Sequence, residues 1–438
     1  MEKRTFVRQY MRAWIISSVS SLTASYGRIM RREVVDVCIL IFMADVVVGV
    51  QSPIFALYTT SLGASLGMLG LVTSVLGLAR LASALPAGVI SDRLGPKTVL
   101  IAGMTLYAVS FVLYALAPAP VWLIVPRVLQ AGGMVATFPM GVAYIGDVVE
   151  ARDRPAAIGV YTAAMGSGFA VGPLIGSFVG SAAGYPAAYA VGAVIALAGA
   201  AFAWLRLTGR KLPAPKGGAP VRLVDLPALL ALARHPTIVM ACVANVAMTV
   251  SMTGAIFTYF PVYARGAGIS TVTIGTLFAW RAIASASGRI PMGPLSTRMP
   301  PHWTLAAVLV VEAVIDFSLA RTSSPLLLTF LLVIEGIGFG VFLVSSQAAV
   351  AGAGGQATRG AAVGIFWMAG AAGEVVGLVF VGVVAQYLGL LAVFEAVAAT
   401  AIVSACVVAG LGLLGAQDSR QHARIEVAAG DHAHNPPE

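Results

Sequence analysis

Few residues in this chain can do chemistry, and most of those that can lie inside long apolar stretches. The carboxylates are Asp45, Glu312, Asp316, Glu335, Glu374 and Glu395, and the arginines are Arg80, Arg127, Arg281 and Arg289. An ionisable group in an apolar run is costly unless it faces a cavity or a partner, so each is a candidate functional site. The chemistry open to such a set is proton binding and release, and the making and breaking of ion pairs. Other chemistry is mostly excluded. All five histidines (His235, His302, His422, His432, His434) fall between runs or in the tail, and Cys38, Cys242 and Cys406 are scattered through apolar sequence. That leaves no expected metal site and no disulfide framework. There is no Gly-x-x-x-x-Gly-Lys-Ser/Thr loop to cradle a nucleotide phosphate. The expected power source is therefore a proton gradient, with no bound cofactor.

The elements that must hold these groups are membrane spans. Of 438 residues, 59% are hydrophobic and 10% charged, with a mean hydropathy of +0.91. A soluble domain carries roughly 25% charge, and a soluble core of this composition would lack the polar surface to cover itself. Runs of about 20 apolar residues, enough to cross a bilayer, occur near 36–60, 66–90, 97–117, 120–148, 155–180 and 184–207. Six more lie near 237–264, 270–294, 303–321, 324–350, 360–387 and 389–414. The reading is an all-α membrane protein of twelve transmembrane helices in two pseudo-symmetric six-helix bundles, 36–207 and 237–414. Residues 1–35 form a cytoplasmic extension, 208–236 a basic cytoplasmic linker with a short surface helix near 222–234, and 415–438 a disordered cytoplasmic tail. Met30, followed by Arg31-Arg32, is an alternative start to Met1.

The net charge of +9 does not point to nucleic acid, because the basic residues cluster between runs. Of the 27 Lys and Arg, only Arg265 and Arg321 fall on the outer side when the N-terminus is placed inside. The positive-inside bias therefore puts both termini in the cytoplasm. The expected location is a bacterial inner membrane, with the chain a multi-pass monomer.

The two bundles are copies. Pro86, Gly88, Ser91 and Arg93 recur as Pro291, Gly293, Ser296 and Arg298, a constant offset of 205. Phe55, Tyr58, Gly63 and Gly70 recur as Phe260, Tyr263, Gly268 and Gly275. Gly133, Arg154, Gly168, Gly172 and Gly184 recur as Gly338, Arg359, Gly373, Gly377 and Gly389. Shared apolar composition would yield Ala and Leu matches, not this series. Two parallel repeats about an axis along the membrane normal are a known transporter plan.

Between the second and third runs stands Gly88-x-x-x-Asp92-Arg93-x-Gly95-x-Lys97. Gly88 permits close helix approach, Gly95 a tight reversal, and Lys97 anchors the inner leaflet. This order resembles the signature loop of the major facilitator superfamily. The resemblance implies that Asp92 and Arg93 belong to a charge latch, with Asp147 at the end of the fourth run as the arginine's partner. In the second copy Thr297 replaces the acid. Arg127-x-x-Gln130 in the fourth run is similar to another superfamily motif, and lies about seven residues inside the outer edge, ~10 Å deep at 1.5 Å per residue. The fifth run carries Gly168-x-x-x-Gly172-Pro173-x-x-Gly176, which resembles the antiporter motif of the drug:proton branches. Glycines at this spacing make a smooth contact stripe, and Pro173 bends the helix.

The resemblance implies that runs 1, 4, 7 and 10 line the cavity, which ranks Asp45 and Glu335 first and Glu374 next. Glu335 is the repeat mate of Gln130, so pseudo-symmetry sets Arg127 and Glu335 at similar depth on facing helices. Burial favours a neutral carboxyl and a nearby arginine a charged one, so separating them would move a proton. Glu312 and Asp316 lie on one face of a run expected to be peripheral, within reach of Arg281 or Arg289. Phe55, Phe257, Tyr259, Phe260, Phe366 and Trp367 are candidate cavity walls. The implied activity is proton-coupled efflux of small, largely apolar compounds, not enzymatic catalysis. A specific metabolite exporter or proton symporter of the same fold is the alternative, and a non-transporting sensor would need neither the charges nor the turn.

Overall fold

The computed structural model describes residues 31–150, 153–208, 226–295, 299–353 and 358–433, with backbone alone at 84–93, 155, 226–229, 293–294, 359 and 414–433. Every regular element among them is a helix. In chain order these are α1 (Arg32–Gln51), α2 (Phe55–Ser61), α3 (Leu66–Leu94), α4 (Pro96–Ala115), α5 (Ile124–Val148), α6 (Arg154–Ala183) and α7 (Tyr185–Arg206). There follow α8 (Leu226–Ala233), α9 (Pro236–Thr249), a π segment (Val250–Tyr259), α10 (Phe260–Gly266), α11 (Thr271–Leu295), α12 (Pro301–Leu319), α13 (Pro325–Ala353), α14 (Arg359–Leu388) and α15 (Leu390–Ala433). Ten segments are long and apolar enough to cross a membrane. The other two expected runs, α1 with α2 and α11, carry Asp36 and Asp45, and Arg281 and Arg289.

The first and seventh runs, expected as single helices, are both interrupted. In the first, Pro53 lies in a turn between α1 and α2. In the seventh, the π segment takes up the extra backbone before α10. α2 and α10 begin and end 205 residues apart, so the interruption itself is repeated. Of five glycines with positive φ, four form repeat pairs: Gly63 with Gly268 (92° and 84°), and Gly184 with Gly389 (87° and 88°). Tyr58 Oη donates to the carbonyl of Tyr114 at 2.9 Å, and its mate Tyr263 donates to that of Ala320 at 2.6 Å. Each ties the end of its half's first run to the end of its third.

α1 packs along α6, α4 between α5 and α7, α12 along α15, and α11 along α13. The two groups, α1–α7 and α9–α15, meet mainly along two seams, α3 with α14 and α6 with α11. The interior is aromatic in the first group, where Phe111, Tyr114 and Tyr189 meet in edge-to-face and tilted contacts with centroids 4.9–5.8 Å apart. Two boundaries differ from the sequence reading. α3 runs through Asp92 and Arg93 to Leu94, and the reversal is made by Gly95 alone at φ 77°, ahead of Pro96. α15 continues to Ala433; residues 415–433 include five alanines with two Gln and two Arg, all good helix formers, and the next proline comes at Pro436.

Candidate transport site

The antiporter-like stripe is a helix–helix contact. A Cβ on Gly168, Gly172 or Gly176 would meet the carbonyl oxygen of Phe42, Val46 or Val50 respectively, all on α1. The backbones of α1 and α6 therefore touch, with Gly49 and Pro173 in the same contact. The repeat mates Gly373 and Gly377 on α14 likewise face Val246 and Val250. This is the small-residue packing that membrane helices use where neither water nor large side chains intervene.

The seams carry the polar contacts between groups. On α3 and α14, the Gly67 amide donates to Gln386 Oε1 at 3.1 Å, and Gly70 abuts Leu378 and Gly382. Tyr259 Oη, at the end of the π segment, donates to the Leu66 carbonyl at 2.9 Å. Deeper, Arg80 forms an ion pair with Glu374, whose side chain is 3% exposed. On α6 and α11, Gly275 lies against Ser177 and Pro173, and Phe169 of α6 meets Phe257 of the π segment edge to face. These contacts run from the Leu66 and Leu388 ends of α3 and α14 to their middle. Toward the other ends of α6 and α14, among the described residues, a Cβ on Gly159, Gly166, Gly360 or Gly364 would meet nothing within 4 Å.

Within the second group, Arg281 and Glu335 form an ion pair, 3% and 0% exposed, with Arg281 Nη2 donating to Glu335 Oε1 at 2.5 Å. Within the first, Arg127 is 4% exposed and lies 3.5 Å from the Phe55 ring centroid. It donates to Gln130 Oε1 at 3.3 Å, which also accepts from Tyr114 Oη at 2.9 Å. The expected Arg127–Glu335 pair is thus corrected: α5 turns Arg127 toward α2 and α4, and α13 turns Glu335 toward α11. Asp45, 6% exposed, sits against Gly168 and in the electrostatic field of Arg289 on the opposite group. Glu312 and Asp316 pair with neither arginine. Each has a carboxyl oxygen 2.7 Å from Ser251 Oγ, while Arg289 Nη2 donates to Ser285 at 3.3 Å.

Of the expected wall residues, Phe55, Tyr259, Phe260 and Phe366 are buried in packing, Phe257 lies among Phe169, Phe278 and Arg281, and Trp367 is exposed. Gly88 is described by its backbone alone, and the side chains of Asp92 and Arg93, with residue Thr297, lie outside the described residues. Lys97 Nζ donates to the Trp204 carbonyl at 3.0 Å, and Asp147 is half-buried at the end of α5. Arg80 was given no partner from the sequence, although it lies as many residues from Leu66 as Glu374 lies from Leu388. That equal depth was the available signal.

This arrangement of repeated helices, a small-residue contact and charged groups buried at the seams has a match among known families. The Major Facilitator Superfamily profile matches residues 37–279 and 264–429, and the chain belongs to that family of membrane transporters. It is 21% identical over 361 residues to an uncharacterised MFS-type transporter of Methanocaldococcus jannaschii, covering 82% of this chain and 93% of that one. It is 28% identical over 171 residues to the quinolone resistance protein NorA of Staphylococcus aureus, covering 39% and 44%. The fold is similar to that of the nucleoside transporter NupG, with a TM-score of 0.70 at 16% identity, covering 87% of this chain and 99% of that one.

Proposed function

We propose that the chain exports small, largely apolar compounds in exchange for protons. It would do so with twelve crossings in two bundles, as a monomer of a bacterial inner membrane with both termini cytoplasmic. The observation that carries this reading is the one-sided closure of the seams. Among the residues with described side chains, the contacts between groups gather toward the Leu66 and Leu388 ends, with the Arg80–Glu374 pair as the innermost of them. With the N-terminus inside, that is the outer side, so the cavity opens to the cytoplasm. Alternating access then requires these seams to part while the opposite ends close.

Export of apolar compounds is favoured by the α1–α6 glycine contact that resembles the antiporter motif, and by the similarity to NorA over part of the chain. Proton coupling follows from carboxyls whose charge state is set by which helix faces them. A compound and a proton that bind the same state with different affinities exchange through that difference. Asp45 and Glu374, both beside the seams, are the groups we assign to it. Asp92, Arg93 and Asp147, with Gly88, Gly95 and Lys97, are proposed to latch the cytoplasmic ends when the outer seams part.

A second reading has its own observation. Arg127 is buried, and its Nε has no hydrogen-bond partner. An anionic metabolite reaching it would gain a fixed cation, which suits a specific exporter or symporter. Everted vesicles holding a proton gradient separate the two. Gradient loss on adding several unrelated lipophilic cations supports multidrug exchange. Loss with one anionic metabolite alone supports the second reading, and no change with any compound rejects proton-coupled exchange of those compounds.

A further inference from the structure

The carboxyls of Glu312 and Asp316 are 1% and 0% exposed, and both approach Ser251 Oγ at 2.7 Å. A serine hydroxyl has one hydrogen to donate. If that hydrogen serves one carboxylate, the other contact is two lone-pair oxygens facing each other, unless the second carboxyl is protonated and donates to Ser251 Oγ. The second oxygen of Asp316, Oδ1, is buried with no hydrogen-bond partner. A buried unpaired carboxylate oxygen is costly, and a proton on that carboxyl removes the charge that makes it so.

Among the residues with described side chains, the surroundings supply no second cation. From α13 comes Glu335, already neutralised by Arg281 of α11. On α15 the titratable groups among the residues with described side chains are Glu395, paired with Arg321 near the end of α12, and Cys406, which is exposed. α9 offers Cys242, and the π segment Tyr259, which is committed to Leu66. Two ionised carboxylates beside the Arg281–Glu335 pair would leave a net charge of minus two in an apolar interior.

We propose that Glu312, Ser251 and Asp316 form a proton-binding site, holding at least one exchangeable proton, that acts on the outer seam through the π segment. Ser251 stands near the start of that segment and Tyr259, bonded to Leu66 of the opposite group, at its end. Loss of the proton sets two carboxylates against one hydroxyl, and the segment that must give way is the one that holds the seam. π geometry is rare and concentrates at functional positions. The coupling half of this proposal rests on the proton-exchange reading above; the proton itself does not.

The test is infrared spectroscopy of the full chain in lipid nanodiscs at neutral pH, without any transported compound. The variants are Glu312→Gln/Asp316→Asn, which keeps shape and removes both acids, and Ser251→Ala. The expected result is the loss, in the double variant, of the deuterium-sensitive C=O stretch of at least one protonated carboxyl per chain, and a shift of that band in Ser251→Ala. Identical spectra in wild type and double variant overturn the proposal, as does a band that appears only when sodium is withdrawn, which would make the ligand a metal cation. In everted vesicles the double variant is expected to lose compound-driven proton release. If it keeps that release while the band is lost, the coupling to the seam is overturned. If wild type releases no protons with any compound, the exchange reading fails and the band alone decides the proton site.

Discussion

Arg80 on α3 and Glu374 on α14 form an ion pair that joins the two helix groups across the α3–α14 seam. Gly77, one turn before Arg80, would place a Cβ 3.1 Å from the Glu374 carboxyl, so a side chain there would crowd the acid. In the proposed alternation the pair would hold the closed state and be broken in the other.

Glu374→Gln is expected to weaken the closed seam. Arg80 keeps 32% of its exposure, so solvent screening limits the loss to roughly 1–2 kcal/mol, below the 3–5 kcal/mol of a fully buried pair. Maleimide labelling of Gly67→Cys should become faster in Glu374→Gln and return toward wild type in the charge-swapped Arg80→Glu/Glu374→Arg. Equal labelling rates in all three would mean the pair does not hold the seam.

The Arg281–Glu335 pair lies within one group, and its expected role is different. Glu335→Gln leaves a buried guanidinium alone, which is destabilising by about 3–5 kcal/mol. A large drop in thermal midpoint is expected for Glu335→Gln, with recovery in Arg281→Met/Glu335→Leu, since an apolar pair of similar volume is often neutral. A double variant as unstable as the single would contradict this account of the pair.

Gly172→Val and Gly176→Val should prevent folding, because the side chain would enter the backbone of α1. Gly159→Ala, on the same helix with open space around it, should be neutral or stabilising by up to ~1 kcal/mol from helix propensity. Monodisperse elution of the detergent-extracted variants distinguishes these outcomes.

Tyr259→Phe removes one hydrogen bond across the seam. The net effect of such a bond is about 0.5–1.5 kcal/mol, so the population open to the outside should rise several-fold without loss of fold. Single-molecule distances across Gly67 and Gln386 measure that population.

The repeat was legible in the sequence because it is written in residues with strict geometric demands. Gly63, Gly184 and their mates occupy positive φ, and Gly168 and Gly172 with their mates sit where helices touch. Partner choice among the charges was not legible. Depth along a helix follows from counting, but direction around it depends on how each helix is rotated against its neighbours, and pseudo-symmetry fixes only the first. Arg127 and Glu335 matched in depth and faced different helices. The π segment was hidden for a related reason: Val250–Tyr259 reads as ordinary apolar helix, and the insertion becomes visible only when α9 and α10 are both in place. Treating α12 as peripheral missed Ser251, whose partners lie on it.

The central claim is that the two ends of the helix groups open in alternation, driven by protons and compound. Spin-label distances test it most directly, with one pair at Gly67 and Gln386 and another at Gly159 and Gly364, in nanodiscs across a range of pH and with a transported compound. The account predicts a short first distance and a long second one in the resting protein, and a population in which both are inverted, growing or shrinking with pH and compound. Distances that stay fixed, or that lengthen together, would contradict it.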